Sequence, residues 1–402
     1  MGSSQSRTDT TEGKIAWSKS MNDVIEGRYE FVIALYLIRK QSRNRYGLFQ
    51  PDFIKITFGP YLETPKHIHL TTLSIHDNTV RCMIGYNDKL FSGSVDETIK
   101  VCDTKTFKHI KTLDGHTGWV YCMILDQKPK SEGGGKLYSG SDDGSIHVWD
   151  PDTYKHIASL TEHNDWVRCM LVIDNKLYSA SSDSRVAIWN TETNKLEGTL
   201  LGHTAAIFCM ITIPSTLKSD KKICTGSADN TIRLWSIYTN SVLQILNVTS
   251  EVKCLIVTNN QLFSGSNDSK IRVWDIDSYE ELAILDAGHK SSNFINSLVA
   301  ANDCIYSGTD DGTINVWDVF TLEEIITLKG RSGWVDCMKV ADNHLYVGHG
   351  NGSVKVYNTN TNQCVATLRS QSENNPVRCL GIVGNNLYTG NGDGTIQVRW
   401  CK

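Results

Sequence analysis

Short strings in which apolar and polar residues alternate recur along most of this chain. One of them, LYSGSDDGSIHVWD, ends at Asp150, and the others share its Tyr, Val and Ile residues and its Gly and Asp turn residues. An alternation with a period of two residues, interrupted by turn residues, predicts β-strands rather than helices. The pattern therefore favours an all-β fold for most of the chain.

The string occurs eight times, and one of its slots holds Trp in five copies. The residues in this slot are Cys102, Trp149, Trp189, Trp235, Trp274, Trp317, Tyr357 and Arg399. Successive copies are about 40 residues apart, a period typical of proteins built from packed repeats. Because one small sheet cannot bury both of its faces, we expect the copies to pack against one another.

Two further motifs of the repeat resemble those of a known protein family. A string of the type WVRCM precedes each copy, and a Gly-His pair or a lone His precedes most of these strings. With its Trp-Asp pairs, the repeat resembles that of the WD-repeat family over about residues 67–402. The resemblance implies an eight-bladed β-propeller whose four-stranded blades surround a channel. The segment 67–74 matches the fourth-strand strings, so we expect it to close the ring as the outer strand of the last blade.

In the WD-repeat family, a buried set of Trp, Ser or Thr, His and Asp holds the turns of a blade. Four copies of the present repeat match this set completely: His116, Ser139, Asp143 and Trp149; His163, Ser179, Asp183 and Trp189; His203, Thr225, Asp229 and Trp235; and His289, Ser307, Asp311 and Trp317. His, Asp and Ser also form hydrolase triads, but their repetition indicates a structural role here. The seventh and eighth copies are degenerate, so we expect their blades to be the loosest.

Seven of the twelve cysteines share one slot of the innermost strand. They are Cys82, Cys122, Cys169, Cys209, Cys254, Cys337 and Cys379. A free Cys packs as a small hydrophobic residue, so we expect these thiols neither to bind metal nor to act as nucleophiles. The sequence thus predicts a protein that is not an enzyme and has no catalytic residues, no metal and no cofactor.

The composition and the apolar segments of the chain indicate which kinds of partner and which cellular compartment to expect. The chain has 402 residues and a formal net charge of −4, whereas general nucleic-acid-binding proteins carry a basic excess. We therefore expect no nucleic-acid partner. The N-terminus shows no signal peptide, and the longest apolar run, 31–38, is shorter than the roughly 20 residues of a membrane-spanning helix. These features favour a soluble, cytoplasmic protein with reduced thiols.

The first twenty residues, which we expect to be flexible, open with the pattern M-G-x-x-x-[ST]. This pattern predicts myristoylation of Gly2, with a chance match as the alternative. One acyl chain anchors a protein only weakly, so membrane association needs a second signal. The basic residues that offer one are Arg39, Lys40, Arg43 and Arg45, together with the loops 126–136 and 214–222. The alternative for the loops is that they are mobile and solvated.

Residues 21–66 are predicted to form a short helical segment. Asn22 and Asp23 are suited to capping a helix that continues to about Arg43, and Pro51 suits the first turn of a second helix. The string PDFIKITFGPYL faintly resembles the core of an F-box, although Gln50 stands where that core has Leu. The alternative is a helical cap that packs against the propeller.

A slot of the innermost strand, just before the shared Cys slot, is unusually rich in cations. Its residues are Arg81, Tyr121, Arg168, Phe208, Lys253, Asn296, Asp336 and Arg378. Because loops before the innermost strands meet at one end of a propeller, we expect this slot near the top mouth of the channel. Clustered arginines suit a carboxylate or a phosphate. The alternative is that they pair with Asp142, Asp310 or Asp336.

The strings with Arg in this slot look like those of F-box/WD-repeat substrate receptors, whose arginines hold phosphorylated peptides. Those receptors can place a second Arg just before the turn Asp, and this chain has none there, which leaves a phosphate pocket incomplete.

Trp119, Trp166 and Trp334 lie in loops before the innermost strand. Trp beside Arg is typical of interaction hot spots; the alternative is that these rings cover neighbouring loops.

The favoured prediction is a non-enzymatic scaffold or adaptor that binds a protein or phosphopeptide at the top of the propeller, with a membrane surface as a further partner of the N-terminus. The alternative is a substrate receptor of an F-box-type ubiquitin ligase that recognises phosphorylated or acidic peptides. The candidate partner-binding residues are Arg81, Trp119, Tyr121, Trp166, Arg168, Lys253, Trp334 and Arg378.

Overall fold

A computed structural model describes residues 67–128, 134–214, 221–288, 294–330, 333–370 and 375–401. Within these ranges the chain forms 32 strands and no helix. The expectations for residues 1–66, namely the myristoylated Gly2, the helical segment and the F-box-like string, lie outside the described residues. Residues 129–133 and 215–220 of the two long loops lie outside them as well.

The strands form eight antiparallel four-stranded sheets, here called blades 1 to 8. Blade 1 contains β2 (Val80–Tyr86), β3 (Lys89–Ser94), β4 (Ile99–Asp103) and β5 (His109–Leu113). Blade 2 contains β6 (Val120–Asp126), β7 (Lys136–Ser141), β8 (Ile146–Trp149) and β9 (His156–Leu160). Blade 3 contains β10 (Val167–Ile173), β11 (Lys176–Ser181), β12 (Val186–Asn190) and β13 (Leu196–Leu200). Blade 4 contains β14 (Ile207–Ile213), β15 (Lys222–Ser227), β16 (Thr231–Ser236) and β17 (Val242–Asn247).

The second half of the ring repeats this order. Blade 5 contains β18 (Val252–Thr258), β19 (Gln261–Ser266), β20 (Lys270–Asp275) and β21 (Glu281–Asp286). Blade 6 contains β22 (Ile295–Ala301), β23 (Cys304–Thr309), β24 (Ile314–Asp318) and β25 (Glu324–Leu328). Blade 7 contains β26 (Val335–Ala341), β27 (His344–His349), β28 (Ser353–Asn358) and β29 (Cys364–Arg369). Blade 8 contains β30 (Val377–Val383), β31 (Asn386–Asn391), β32 (Thr395–Trp400) and β1 (Ile68–Ser74).

The two ends of the propeller meet in blade 8. β1 takes the outer position of this sheet and pairs antiparallel with β32, so that Ile68 lies opposite Trp400 and Leu73 opposite Ile396. The first strand of each blade contacts the first strands of its two neighbours, and β30 contacts β2, which closes the ring. The predicted eight-bladed β-propeller is therefore confirmed, and both degenerate copies form four-stranded sheets.

The hydrophobic core lies between neighbouring blades, because each sheet buries a face against the next one. Trp235 of blade 4, for example, is only 1% exposed and packs in one cluster with Tyr178 and Ile188 of blade 3. Equivalent clusters join the other pairs of blades, including blade 8 with blade 1. Stability is thus distributed around the ring rather than concentrated in one central core.

The shared Cys slot lies where neighbouring innermost strands meet. The thiol of Cys122 donates to the carbonyl of Val167 in the next blade at 3.5 Å, and that of Cys379 donates to Val80 at 3.4 Å across the closure. Burial raises the pKa of the Cys82, Cys169 and Cys254 thiols to about 12. These thiols are protonated at neutral pH, whereas the thiolate is the form that acts as a nucleophile or metal ligand.

Candidate functional site

The family hydrogen-bond set is assembled inside blade 2. His116 Nε2 lies 2.8 Å from Ser139 Oγ, His116 Nδ1 lies 3.2 Å from Asp143 Oδ2, and Trp149 Nε1 donates to Ser139 Oγ at 2.9 Å. The corresponding residues of blades 3 and 4 make the same contacts. Ser139 is fully buried between His116 and Trp149, so its hydroxyl is not placed to attack a substrate.

Incomplete sets are compensated in different ways. In blade 5, where Val248 replaces His, the guanidinium of Arg272 donates to Asp268 at 2.7 Å and to the hydroxyl of Thr249. The set of blade 6 is complete in the sequence; there Trp317 donates to Ser307 at 3.0 Å, and His289 lies outside the described residues. In blade 8, the amide oxygen of Asn375 accepts the backbone N–H of Asp393 at 2.8 Å. Turn anchoring is therefore retained in blades 5 and 8, where family residues are lost.

The carboxylates of these sets make stability dependent on pH. Burial tends to raise the pKa of Asp143 and of Asp183, but hydrogen bonds from His116 and Ser145 to Asp143, and the partner His163 beside Asp183, outweigh it and hold both pKa values well below the ordinary 3.8. A carboxylate with a lowered folded-state pKa contributes stability above its ordinary pKa, and this contribution is lost as the pH falls towards the folded value.

We expect the free energy of unfolding of the wild-type protein to fall as the pH is lowered below about 4. In the double variant Asp143→Asn/Asp183→Asn this fall should be smaller than in the wild-type protein, by about 1–2 kcal/mol for each carboxylate removed. The measurement is urea unfolding at pH 6 and pH 3. Asp114→Asn, at an exposed carboxylate, is the control and should leave the pH dependence unchanged. An identical loss in the double variant and the wild-type protein would contradict this assignment.

The candidate partner residues gather at one end of the channel, where all innermost strands begin; this end is the top mouth. Arg81, Tyr121, Arg168, Lys253 and Arg378 each occupy the second position of an innermost strand. The three tryptophans lie in the loops immediately before such strands; Trp119 and Trp166 are half-buried and Trp334 is 38% exposed. The sheet topology thus brings residues from six blades to one rim.

Five neighbouring blades contribute a continuous series of cations and rings. The guanidinium of Arg81 lies 5.7 Å from both the Trp119 and the Tyr121 rings. That of Arg168 lies 5.0 Å from the same Tyr121 ring and 4.3 Å from the Trp166 ring. The Trp119 and Trp166 rings lie 5.7 Å apart. Each such cation–ring contact contributes about 0.5–1 kcal/mol at an exposed site.

The series continues through Phe208, which lies 5.6 Å from the Arg168 guanidinium and 3.6 Å from Lys253 Nζ. We call these seven residues the cation–aromatic arc: Arg81, Trp119, Tyr121, Trp166, Arg168, Phe208 and Lys253. Phe208 was not among the predicted partner residues. It occupies the same slot as the cations, and its aromatic character was the signal that could have found it.

The four predicted cations of the mouth differ in their charge partners. Arg378 Nη1 lies 2.7 Å from Asp336 Oδ2, and Lys253 Nζ lies 2.8 Å from Glu251 Oε2. Among the described residues, neither Arg81 nor Arg168 forms an ion pair with a carboxylate. Uncompensated positive charge is therefore concentrated on blades 1 and 3, on either side of Tyr121.

The two unpaired guanidiniums retain donors. Arg168 donates through Nε to Ser182 Oγ at 2.8 Å and through Nη1 to the Tyr121 hydroxyl at 3.1 Å. Its Nη2 donates no hydrogen bond to the described residues. The Nε of Arg81 is buried and has no hydrogen-bond partner in the described part of the chain. Both guanidinium groups thus retain N–H donors that no described residue accepts.

Two of the carboxylates proposed as alternative partners are engaged elsewhere. Asp142 accepts the backbone N–H of Trp119 at 2.5 Å, and burial raises its pKa. Asp310 lies 3.4 Å from the side-chain nitrogen of Asn296.

Trp334 lies apart from the arc, on blade 7, with its ring 5.7 Å from the Arg378 guanidinium.

The described residues contain no helix long and apolar enough to cross a membrane. They also contain no group of three or more His, Cys, Asp and Glu residues that could hold a metal ion.

Comparison with protein-family models places these features in a family. The model "WD domain, G-beta repeat" matches residues 68–103, 107–150 and 280–318, and a β-propeller model named for WDR41 matches residues 151–280. The fold is that of the WD-repeat propellers, which are typical of protein-interaction scaffolds. The chain belongs to the WD-repeat β-propeller family.

Solved structures share this fold. The computationally designed Ika8 protein is similar over 83% of this chain and 100% of its own, with a TM-score of 0.71 and 27% identity. Sqt1 of Saccharomyces cerevisiae is similar over 84% of this chain and 99% of its own, with a TM-score of 0.74 and 16% identity.

A curated relative, "Mitogen-activated protein kinase kinase kinase A" of Dictyostelium discoideum, is 38% identical over 61 residues, which are 14% of this chain. The chain spans only 6% of the length of that relative.

Proposed function

We propose that this protein is a non-enzymatic scaffold that binds a protein partner at the top mouth of its propeller. The observation that supports the proposal is the cation–aromatic arc, which presents three cations and four rings on one rim. Aromatic residues and Arg are enriched at the energetic centres of protein interfaces. Rings stacked against cations also lose little conformational freedom when a partner binds.

The partner segment is expected to be acidic. Arg81 and Arg168 have no carboxylate partner among the described residues and flank one Tyr121 ring. A guanidinium forms its strongest hydrogen bonds with carboxylate or phosphate groups. The same observation favours the second candidate function, a substrate receptor that recognises phosphorylated or acidic peptides. Membrane tethering through Gly2, a cytoplasmic location and an F-box in residues 31–62 stay predictions.

Replacing Arg168 by alanine is expected to weaken partner binding by about 2 kcal/mol, or roughly thirtyfold, because a central Arg hot spot is lost. Partners are identified by affinity purification from native cells, and their dissociation constants are then measured with purified proteins. Arg378→Ala is the matched control, since its charge is already paired with Asp336. Phe320→Ala is a second control on a turn at the opposite end of the blades, where the ring is 62% exposed.

Equal affinity of the Arg168→Ala variant and the wild-type protein would contradict binding at the arc. A peptide array with plain and phosphorylated copies of the partner segment then separates the two candidates. A preference for phosphorylated copies that disappears in an Arg81→Ala/Arg168→Ala variant supports phosphopeptide recognition. Binding of a Skp-type adaptor to the full chain in a pull-down supports the ubiquitin-ligase role, and absence of that binding excludes it.

A further inference from the structure

Blade 2 contains a stack of three histidine rings. The ring of His147, on β8, lies against those of His116 and His156, at centroid distances of 4.1 Å and 4.8 Å. His147 is paired across the sheet with Ser139 of the family set. The equivalent slots of blade 1 and blades 3 to 8 hold, in order, Lys100, Ala187, Arg233, Arg272, Asn315, Lys355 and Gln397. The stack is therefore a feature of blade 2 that the repeat does not require.

His147 lies in a place that has no acceptor for a second N–H group. Its side chain is 8% exposed, and its Nδ1 is buried without a hydrogen-bond partner in the described part of the chain. The backbone of Gly115 lies directly against this nitrogen, since a Cβ on Gly115 would approach it to 2.9 Å. A neutral imidazole can leave one nitrogen without a proton, whereas the protonated ring has two N–H donors. Protonation of His147 in the closed blade would thus bury an N–H without an acceptor.

The charged and titratable groups that face His147 come from three neighbouring elements. They are His116 in the loop before β6, Asp143 in the turn between β7 and β8, and His156 at the start of β9. The other neighbours, the Trp149 ring of β8 and the cross-strand residues Ser139 and Ser159, are uncharged. Two of the three ionisable neighbours are therefore histidines, whose positive charge would repel a protonated His147.

These surroundings keep His147 neutral at neutral pH. Burial lowers the pKa of His147 to about 4, the charges of His116 and His156 act in the same direction, and Asp143 opposes them. The Asp143 carboxylate is already engaged by His116 Nδ1, 3.2 Å away, and by the backbone N–H of Thr117. The closed stack is thus compatible with the uncharged form of His147 only.

The pH range of the effect follows from the two pKa values of His147. In an opened blade the imidazole regains its ordinary pKa of 6.5. A group whose pKa is lower in the closed form stabilises that form fully above the ordinary pKa, and this contribution is lost as the pH falls from 6.5 towards about 4. The Asp143 and Asp183 carboxylates lose their contribution only below about 4. A comparison of pH 7 with pH 5 therefore separates the histidine from these carboxylates.

The stack supports the loop that carries Trp119 of the cation–aromatic arc. His116 lies three residues before Trp119 and is anchored to Asp143 at 3.2 Å. The backbone N–H of Trp119 is anchored to the preceding carboxylate, Asp142, at 2.5 Å. Displacement of His116 would release one of these two anchors. The Trp119 ring, which lies 5.7 Å from the Trp166 ring, would then lose its fixed position on the rim.

We propose that the stack of His116, His147 and His156 is a pH sensor that opens the top of blade 2 in mildly acidic solution and displaces Trp119. The proton binds to His147, and opening of the loop allows water to accept both of its N–H groups. Displacement of Trp119 would weaken partner binding at the arc, a consequence that rests on the proposed function. The opening itself depends only on blade 2.

Two substitutions of His147 remove the sensor with residues that the repeat already contains in this slot. Gln stands there in blade 8, where Gln397 is 2% exposed, and Ala stands there in blade 3. The variants are therefore His147→Gln and His147→Ala. His109→Gln is the matched control, because His109 begins β5 as His156 begins β9, but in a blade whose slot holds Lys100.

The experiment is hydrogen exchange of the full chain at pH 7 and pH 5, detected by mass spectrometry and corrected for the chemical exchange rate at each pH. Exchange of protected amides measures local opening. Peptides from residues 114–126 of blade 2 are compared with the matching residues 161–173 of blade 3. We expect the ratio of the blade 2 rate to the blade 3 rate to rise about tenfold from pH 7 to pH 5 in the wild-type protein and in His109→Gln. The ratio should not change with pH in His147→Gln and His147→Ala.

The sensor is overturned if the wild-type ratio is the same at both pH values, a result that needs no variant. It is also overturned if the ratio rises as much in a His147 variant that thermal unfolding shows to be folded. Because exchange is measured without a partner, failure of the sensor is distinguishable from failure of partner binding at the arc, which the Arg168→Ala variant tests.

Discussion

Replacing Trp235 by alanine is expected to lower the free energy of unfolding by about 3–5 kcal/mol, the usual cost of truncating a buried aromatic residue. Its indole is 1% exposed and lies between blades 3 and 4, where it packs against Tyr178 and Ile188. Its Nε1 also donates to Thr225 Oγ1 at 2.9 Å. Alanine would leave a cavity between two blades and remove this hydrogen bond. Urea unfolding followed by circular dichroism measures the loss.

Trp334→Ala is the matched control for this prediction. The Trp334 ring is 38% exposed at the mouth, so its removal should cost less than about 1 kcal/mol. If both variants lost the same free energy of unfolding, the Trp slot shared by the repeats would contribute no more to stability than an exposed Trp does. The comparison thus separates tryptophans that hold the blades together from those that face a partner.

Replacing Leu73 by aspartate is expected to cost about 3 kcal/mol or more, because it places a carboxylate in an apolar contact without a partner. Leu73 is 8% exposed on β1, lies opposite Ile396 of β32 and packs in the cluster that joins blades 8 and 1. Detachment of β1 would also leave the hydrogen-bonding edge of β32 uncovered, which favours aggregation. Urea unfolding and light scattering measure the two effects.

Leu70→Asp provides the control on the same strand. Leu70 is 42% exposed, so a carboxylate there stays solvated and should cost less than about 1 kcal/mol. If both substitutions have the same small effect, β1 does not hold the ring closed. If both are severely destabilising, the strand tolerates no charge on either face and its closure depends on more than the Leu73 contact.

The number and order of the strands could be predicted from the sequence because they depend on local patterns. The alternation around Trp149 and Trp317, the turn residues and the spacing of about 40 residues are properties of short stretches. The degenerate copies around Tyr357 and Arg399 still formed four-stranded blades, since alternation of apolar residues persists where the family hydrogen-bond set is lost.

The candidate site could be predicted only in outline. Arg168 and Arg378 occur in the same slot and in the same short string, yet Arg378 is neutralised by Asp336 and Arg168 is stacked on Trp166. Phe208 joins the arc because blades 3, 4 and 5 are adjacent. Asp336 lies on the blade next to that of Arg378, and Phe208 on the blade next to that of Arg168, each about 40 residues away along the chain. No short stretch of sequence contains these two pairs.

The sequence by itself determined the fold class, the number of blades and the rim on which the cations stand, because strand alternation and repeat spacing follow from which residues are neighbours along the chain. Which of those cations remain unpaired and which rings stack on them emerged only when the ring closed. These features depend on distances between blades, and such distances are set by how whole sheets pack rather than by any local pattern.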